Sequence, residues 1–236
     1  MKYDIIKAIT VSVAGFCIVA LPFFYCAKSG GTLAAASSRV GNNPPIVLDA
    51  GHGGEDGGAV SALGTQESGI NLEVSGRLNT LMRFLGLHTK MIRTEDISVY
   101  TEGTTIAQKK VSDIKNRVRI VESTPNAILV SIHQNHFSES KYRGAQVFYN
   151  AQSELLAEKL QQALCTQVDP NNHRECKPAQ NIYLMEHVTC PAVLIECGFL
   201  SNPQEELLLR DASYQKKLVC AIACTLLNDS EESNEV

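Results

Sequence analysis

The sequence has 236 residues, of which 44% are hydrophobic, and it carries a formal net charge of −4. That length fits one domain of ordinary size with an extension, and the composition is not that of a disordered chain. The mild acidity also predicts that the protein does not bind nucleic acid, because such a protein needs a basic surface.

The first predicted element is an apolar segment that follows two lysines, Lys2 and Lys7. It runs from Ala8 to Ala27, which is about long enough to cross a bilayer. A positive start before such a run is typical of a signal peptide or a membrane signal anchor, and the sequence leaves both open for residues 1–27. Residues 28–44 are rich in Gly, Ser, Ala and Asn and predict a flexible linker. We therefore expect an exported protein whose amino terminus can associate with a membrane.

The folded domain is predicted to span residues 45–228, and strands alternate with helices along it. Short apolar runs predict strands at Ile46–Leu48, His88–Thr94, Ala127–Ile132, Ala145–Tyr149 and Ala192–Ile195. Helical spacing predicts helices at Ser68–Leu85, Val111–Glu122 and Glu154–Val168, and two more after a cap at Asn202 and Pro203. The tail from Asn228, which includes the acidic residues 229–236, is expected to be disordered. The alternation predicts an α/β fold with a mostly parallel sheet and helices on both faces.

Three of the most apolar strands end at chemically reactive side chains, namely His52, His133 and Glu196. Active sites of parallel sheets lie beyond the carboxyl ends of the strands, so these side chains are expected to meet at one edge. A zinc hydrolase needs three ligands from His, Asp or Glu and one open position for water. The two histidines supply two ligands, and Glu67, at the start of the first helix, is the preferred third.

Two other carboxylates, Glu55 and Asp56, are alternatives to Glu67 as the third ligand. Both follow His52 closely, and their turn can point them to solvent. Glu196 needs a separate explanation, because a carboxylate directly after an apolar strand is costly to bury without a partner.

The sequence has eight cysteines, which is many for an exported protein. Cys165 and Cys176 flank a turn-rich stretch and are candidates for a disulfide. Cys220 and Cys224 lie one helical turn apart on an apolar stripe, which predicts that they pack in the core.

Four motifs resemble the zinc-dependent N-acetylmuramoyl-L-alanine amidases of the family usually called type 3. They are Ile46–Gly54, Gly64–Glu67, Ser131–His133 and Pro191–Asn202, and their order and spacing agree over residues 45–228. The resemblance implies a six-stranded sheet with flanking helices and a Zn²⁺ cofactor. It also implies that His52, Glu67 and His133 bind the zinc, and that Glu196 is the catalytic glutamate.

A narrower resemblance is to the germination-specific amidases of endospore formers. It rests on Gln108–Arg117 and Ser131–Asn135. It implies action on spore cortex peptidoglycan, between the spore membranes, and a part in making muramic-δ-lactam. One departure is Cys197, where the family more often has a larger apolar residue. No wall-binding repeat follows the catalytic domain, so we expect targeting through the anchor, the site itself or an exported accessory protein.

The expected reaction is hydrolysis of the amide bond between N-acetylmuramic acid and L-alanine of peptidoglycan. Glu196 is expected to take a proton from the attacking water and to return it to the leaving amine. Gln134 and Asn135 directly follow a ligand, and Arg174 and Lys177 precede the last strand, so these four are candidate substrate contacts. Two alternatives stay open, a zinc peptidase or carboxypeptidase acting on wall peptides and a wall-binding module without catalysis.

Overall fold

The computed structural model describes residues 43–233, and its elements alternate along the chain. The strands are β1 (Ile46–Ala50), β2 (Thr89–Met91), β3 (Ile128–Asn135), β4 (Gln146–Tyr149), β5 (Lys177–Pro178) and β6 (Ala192–Phe199). The helices are α1 (Glu67–Phe84), α2 (Ile106–Glu122), α3 (Glu154–Ala163), α4 (Tyr183–His187), α5 (Pro203–Arg210) and α6 (Ala212–Ser233). A π-helical turn at Leu164–Val168 continues α3.

The strands form one six-stranded sheet in the order β2-β1-β3-β6-β4-β5. The pairs β1–β2, β1–β3, β3–β6 and β4–β5 are parallel, and only β4 runs antiparallel to its neighbour β6 within the described sheet. The predicted mostly parallel sheet is therefore confirmed. Strands β1, β3 and β6, which lead to the predicted site residues, lie side by side.

The two faces of the sheet are covered by different helices, because alternate side chains of each strand point to opposite faces. Helices α1, α3 and α6 pack on the face that contains Leu48, Ile132 and Ile195, and we call this the α1 face. Helices α2 and α4 pack on the face that contains Val47 and Leu129, which we call the α2 face. The prediction of helices on both faces is confirmed.

Helix α2 begins at Ile106 and not at the predicted Val111. The cause is a capping box, in which the Thr105 hydroxyl accepts from the Gln108 backbone N–H and the Gln108 side chain accepts from the Thr105 N–H. Such a box satisfies two backbone donors that the helix itself cannot pair. The polar stretch before Val111 therefore folds as helix although it lacks an apolar stripe.

The predicted disordered tail from Asn228 is wrong for its first residues, because α6 continues to Ser233. Lys159 on α3 forms an ion pair with Asp229 at 2.8 Å, and Ser230 is buried. Contacts with α3 thus extend the last helix beyond the predicted end of the domain.

The cysteine predictions also fail. Cys165 and Cys176 are both free thiols, and Cys220 and Cys224 are exposed. The buried stripe of α6 runs through other positions, which include Leu218, Ile222 and Leu226. The two exposed cysteines lie between these positions on the outer side of the helix.

The predicted signal segment, residues 1–27, and almost all of the predicted linker, residues 28–44, lie outside the described residues. Between residues 43 and 233, none of the helices combines the length and the apolar character that a membrane crossing requires.

Candidate metal centre

His52 lies in the glycine-rich turn that follows β1. Its φ is +61°, in the left-handed region, which costs a non-glycine residue about 1–3 kcal/mol and persists only when the surroundings hold it there. The preceding residue, Gly51, has no room for a side chain, because a Cβ atom would overlap the imidazole of His133. The turn thus brings the rings of His52 and His133 to a centroid distance of 5.1 Å.

Glu67, the first residue of α1, lies between the two histidines and is 3% exposed. Its Oε2 lies 3.2 Å from His52 Nε2, and its Oε1 lies 2.9 Å from His133 Nδ1. One nitrogen or oxygen from each side chain lies within 4.8 Å of the others. Two imidazole nitrogens and one carboxylate oxygen are a donor set of catalytic zinc sites, whose bonds are about 2.0–2.2 Å long. The three predicted residues therefore come together in a group that fits a divalent metal ion.

The two alternative carboxylates are occupied elsewhere. Asp56 accepts from His52 Nδ1 at 2.8 Å through one oxygen, and its other oxygen pairs with Lys110 at 2.7 Å. A carboxylate on the far nitrogen of a ligating histidine fixes the orientation of its ring. Glu55 is more exposed and pairs with Lys109 at 2.8 Å. Asp56 therefore supports a candidate ligand, and Glu55 takes no part in the group.

Glu67 is held by several donors that the sequence analysis missed. Asn71 Nδ2 donates to Glu67 Oε1 and to the Gly51 carbonyl, both at 3.1 Å, while Gln134 Nε2 donates to Asn71 Oδ1. The backbone N–H groups of Ala59 and Gln134 also donate to the Glu67 carboxylate. Asn71 lies four residues after Glu67 on α1, and this i,i+4 spacing is a sequence signal that points to it.

The electrostatics of the group favour an ionised carboxylate. Burial opposes the charge of Glu67, but hydrogen bonds to His133 and His52 outweigh it and hold the pKa of Glu67 well below its usual range. Burial also lowers the pKa of His52, whereas its hydrogen bonds to Asp56 and Glu67 raise that pKa overall to about 9. Metal binding at this group must therefore displace a proton from His52.

Glu196 lies next to the three residues, and its Cα pairs with that of His133 between β6 and β3. Its Oε2 is buried and has no hydrogen-bond partner among residues 43–233. Burial raises the pKa of Glu196 to about 7. The negative charge of Glu67 also raises this pKa, whereas the charges of His133 and His52 lower it. A carboxyl group with a pKa near neutrality can both accept and return a proton.

Two of the predicted substrate contacts lie at the end of β3. Gln134 is buried, and its side chain donates to Asn71, which contradicts the predicted contact of that side chain with substrate. The alternation along the strand turns Gln134 towards α1, whereas the sequence showed only that it follows a ligand. Asn135 is half-buried at the same edge of the sheet, and its Oδ1 accepts from the His136 N–H.

The other two predicted contacts lie before and on β5. Arg174 donates to Gln146 Oε1 at 2.9 Å, and its guanidinium lies 4.5 Å from the ring centre of Phe199. Gln146 is the cross-strand neighbour of Glu196 between β4 and β6. Arg174 therefore contacts a residue that lies directly beside Glu196 in the sheet. Lys177 is exposed on the outermost strand of the sheet.

Comparison with known proteins gives a match over the whole described domain. Residues 46–228 match the family model described as N-acetylmuramoyl-L-alanine amidase. A germination-specific N-acetylmuramoyl-L-alanine amidase of Bacillus subtilis (strain 168) is 38% identical over 181 residues, which are 75% of this chain and 76% of that protein.

Solved structures agree with this match. The CwlD amidase from Clostridioides difficile, determined in complex with the GerS lipoprotein, is 41% identical and superposes with a TM-score of 0.77 over 81% of this chain and 100% of its own. An N-acetylmuramoyl-L-alanine amidase from Clostridium difficile 630 is 27% identical, with a TM-score of 0.68 over 79% of this chain and 96% of its own.

Proposed function

The chain belongs to the N-acetylmuramoyl-L-alanine amidase family, and we propose that it hydrolyses the amide bond between N-acetylmuramic acid and L-alanine in peptidoglycan. The observation that carries this proposal is the group of His52, Glu67 and His133 with the unpartnered carboxylate of Glu196 beside it. A metal site next to a general base is an arrangement that can hydrolyse an unactivated amide.

We propose that His52, Glu67 and His133 bind Zn²⁺. Two imidazoles and one carboxylate leave a fourth position open, as catalytic zinc sites do. When bound, the zinc polarises the carbonyl of the scissile amide and makes the attacking water more acidic. Asp56 and Asn71 keep the rings and the carboxylate oriented through the hydrogen bonds described above.

We propose that Glu196 moves the proton during the reaction. Its Oε2 has no partner in the described part of the chain, which leaves it available to accept a proton from the attacking water. The amino group of L-alanine leaves poorly unless it is protonated, so the same carboxyl group returns the proton to that nitrogen. In the metal-free protein burial raises the pKa of Glu196 to about 7, and the positive charge of a bound zinc ion would lower that pKa and favour the carboxylate that accepts the proton.

Asn135, Arg174 and Lys177 are the residues that we propose to contact substrate. Asn135 lies at the end of β3, two residues after a proposed ligand, and offers an amide to the glycan or peptide. Arg174 and Lys177 carry positive charges that suit the carboxylates of the stem peptide. Arg174 is the better placed of the two, because its partner Gln146 is the cross-strand neighbour of Glu196.

The similarity to a germination-specific amidase leads us to propose spore cortex peptidoglycan as the substrate, with hydrolysis as a step towards muramic-δ-lactam. The similar CwlD amidase forms a complex with a lipoprotein, and we propose that this chain also works with an exported accessory protein. We further propose that residues 45–228 are the catalytic domain. Residues 1–27 then export or anchor it through the linker at 28–44, so that it acts outside the cytoplasm, between the spore membranes.

The test is mass spectrometry of purified cortex peptidoglycan after incubation with the zinc-loaded protein, with Glu196→Gln as the blank. The expected products are muramic acid with a free lactoyl carboxyl group and stem peptides with a free L-alanine amino group. Products that keep L-alanine on muramic acid and lose residues from the peptide would support a peptidase. Identical patterns for the protein and the blank would support a binding module without catalysis.

A further inference from the structure

A buried arginine, Arg117, lies directly beneath the turn that carries His52. It belongs to α2 and is 2% exposed. Its Nε donates to Asp113, its Nη1 to Asp49 and to the Ala50 carbonyl at 2.9 Å, and its Nη2 to the His52 carbonyl at 2.7 Å. One side chain therefore joins two carboxylates to the backbone of a proposed metal ligand.

The carbonyl groups of three consecutive residues, 50–52, all accept from buried guanidinium groups. Arg93 donates to the Ala50 carbonyl at 2.8 Å and to the Gly51 carbonyl at 3.0 Å, and Arg117 donates to the His52 carbonyl. His52 has the unfavourable left-handed backbone described above. Such a conformation persists only when its surroundings determine it, and charge-assisted hydrogen bonds are strong enough to do so.

Arg117 is itself held from two directions. Asp49 lies at the end of β1 and also accepts from the Ser131 hydroxyl on β3 at 2.6 Å, while Asp113 lies one turn before Arg117 on α2. Ser131 is two residues before His133, so the network reaches both strands that lead to proposed histidine ligands. The guanidinium therefore has little freedom to move away from the His52 carbonyl.

We propose that Arg117 is a positioning residue, which holds the His52 backbone so that Nε2 faces the metal position before any metal arrives. It acts through His52 and touches neither metal nor substrate. The inference rests on the proposed function, because it requires that His52 is a ligand. Lysine cannot replace Arg117 here, since a single ammonium group lacks the planar fork that reaches Asp113, Asp49 and the carbonyls at once.

The experiment measures the zinc dissociation constant of the full chain by competition with a chromophoric chelator, together with the melting temperature of the zinc-free protein. Arg117→Lys is compared with Gln215→Ala. Gln215 is fully buried and bonds to Arg77, Glu73 and the Leu209 carbonyl, away from the site. Gln215→Ala therefore destabilises the fold without disturbing the turn.

We expect Arg117→Lys to weaken zinc binding by about 10- to 100-fold, which is the usual effect of losing a partner that orients a ligand. We expect Gln215→Ala to lower the melting temperature but to leave the zinc dissociation constant within about twofold of the unaltered chain, since no bond to the turn is lost. The visible absorption spectrum of the Co²⁺-loaded protein should change in Arg117→Lys and not in Gln215→Ala.

Arg117→Lys with unaltered zinc affinity and an unaltered Co²⁺ spectrum would overturn the inference and leave Arg117 a structural residue. Failure of the unaltered chain to bind zinc would overturn the proposed metal site instead, so the two failures are distinguishable. If Arg117→Lys does not fold, Asp113→Asn takes its place, because Asp113 accepts from both Arg117 Nε and the Val99 N–H, and an amide has only one acceptor oxygen for these two donors. Weaker zinc binding is again expected, and unaltered binding contradicts the inference.

Discussion

The two faces of the sheet are stabilised by different interactions. On the α1 face the apolar cluster is the larger one, and residues such as Leu78 and Ile222 are completely buried. On the α2 face the apolar cluster is smaller, and below the proposed metal site it gives way to the buried ion pair of Asp49 and Arg117. The proposed metal site lies at the carboxyl ends of β1 and β3, at the edge of the sheet that both faces share.

This difference predicts how much each face contributes to the free energy of unfolding. Burial of apolar surface is the dominant favourable contribution to folding, whereas buried ion pairs contribute little net stability because their desolvation is costly. We therefore expect the α1 face to supply most of the free energy of unfolding. The charged groups of the α2 face, of which Arg117 is the centre, chiefly fix the geometry of the turn at His52.

We expect the largest effect, on both zinc content and turnover, from His133→Ala at the proposed metal site. Loss of one of three ligands should reduce the zinc content from about one ion per chain to near zero, and turnover should fall to background. The matched control is His136→Ala, because His136 is an exposed histidine three residues further on. Elemental analysis after dialysis checks both variants. Full zinc content in His133→Ala would exclude His133 as a ligand.

The next effect tests the α1 face. Leu78→Ala should lower the free energy of unfolding by about 2–5 kcal/mol, because it opens a cavity at a fully buried position. The zinc affinity of the folded protein should stay the same. Urea unfolding and a zinc titration measure the two quantities. Leu63→Ala, at a side chain that is 69% exposed, should change stability by less than about 0.5 kcal/mol. Equal effects of the two variants would contradict the assignment of stability to this face.

A smaller effect on zinc affinity should distinguish Asp56 from Glu55, the two neighbouring carboxylates of the turn. Asp56→Asn should weaken zinc binding by about 10- to 100-fold, since Asp56 orients the His52 ring. Glu55→Gln should leave binding unaltered, because Glu55 pairs only with Lys109 at the surface. Competition titrations on both variants give the comparison. Equal zinc affinities would show that the carboxylate on His52 has no orienting effect.

The smallest expected effect is a pH dependence of the free energy of unfolding, which arises from Asp49 on the α2 face. Although Asp49 is buried, the charge of Arg117 lowers the pKa of Asp49. A carboxyl group whose pKa is lower in the folded chain stabilises it above the unfolded pKa of about 3.9 and loses that contribution as the pH falls through the folded value. Urea unfolding should therefore show stability falling below about pH 4, and less steeply in Asp49→Asn. Parallel pH curves for the two proteins would contradict this.

The sequence predicted those parts of the molecule that repeat a simple pattern. The apolar runs of β1, β3 and β6 identified adjacent parallel strands, and the side chains after them identified His52, His133 and Glu196. Glu67 was harder to find, because a carboxylate at the start of a helix is common without any metal. Its place at the start of the first helix made it the preferred third ligand over Glu55 and Asp56, the resemblance to a family agreed with that choice, and the structure places it between the two histidines.

What the sequence did not predict depends on contacts between distant residues. Arg117 and Asp49 are 68 positions apart, and neither has a pattern that indicates a shared buried network. The side chain of Gln134 points towards Asn71 on α1 because of its place on β3, which adjacency to a ligand does not reveal. The exposed Cys220 and Cys224 had helical spacing, but that spacing does not say which side of α6 is buried.

In the proposed mechanism different residues hold the metal and move the proton, and Glu196→Gln tests this separation directly. Glutamine keeps the shape and can form hydrogen bonds, but it cannot accept and return a proton. Zinc content, melting temperature and turnover are measured on one sample. We predict unaltered zinc content and melting temperature with turnover reduced at least roughly 100-fold. Lower zinc content would make Glu196 a ligand, and full turnover in a folded, zinc-loaded variant would contradict the account.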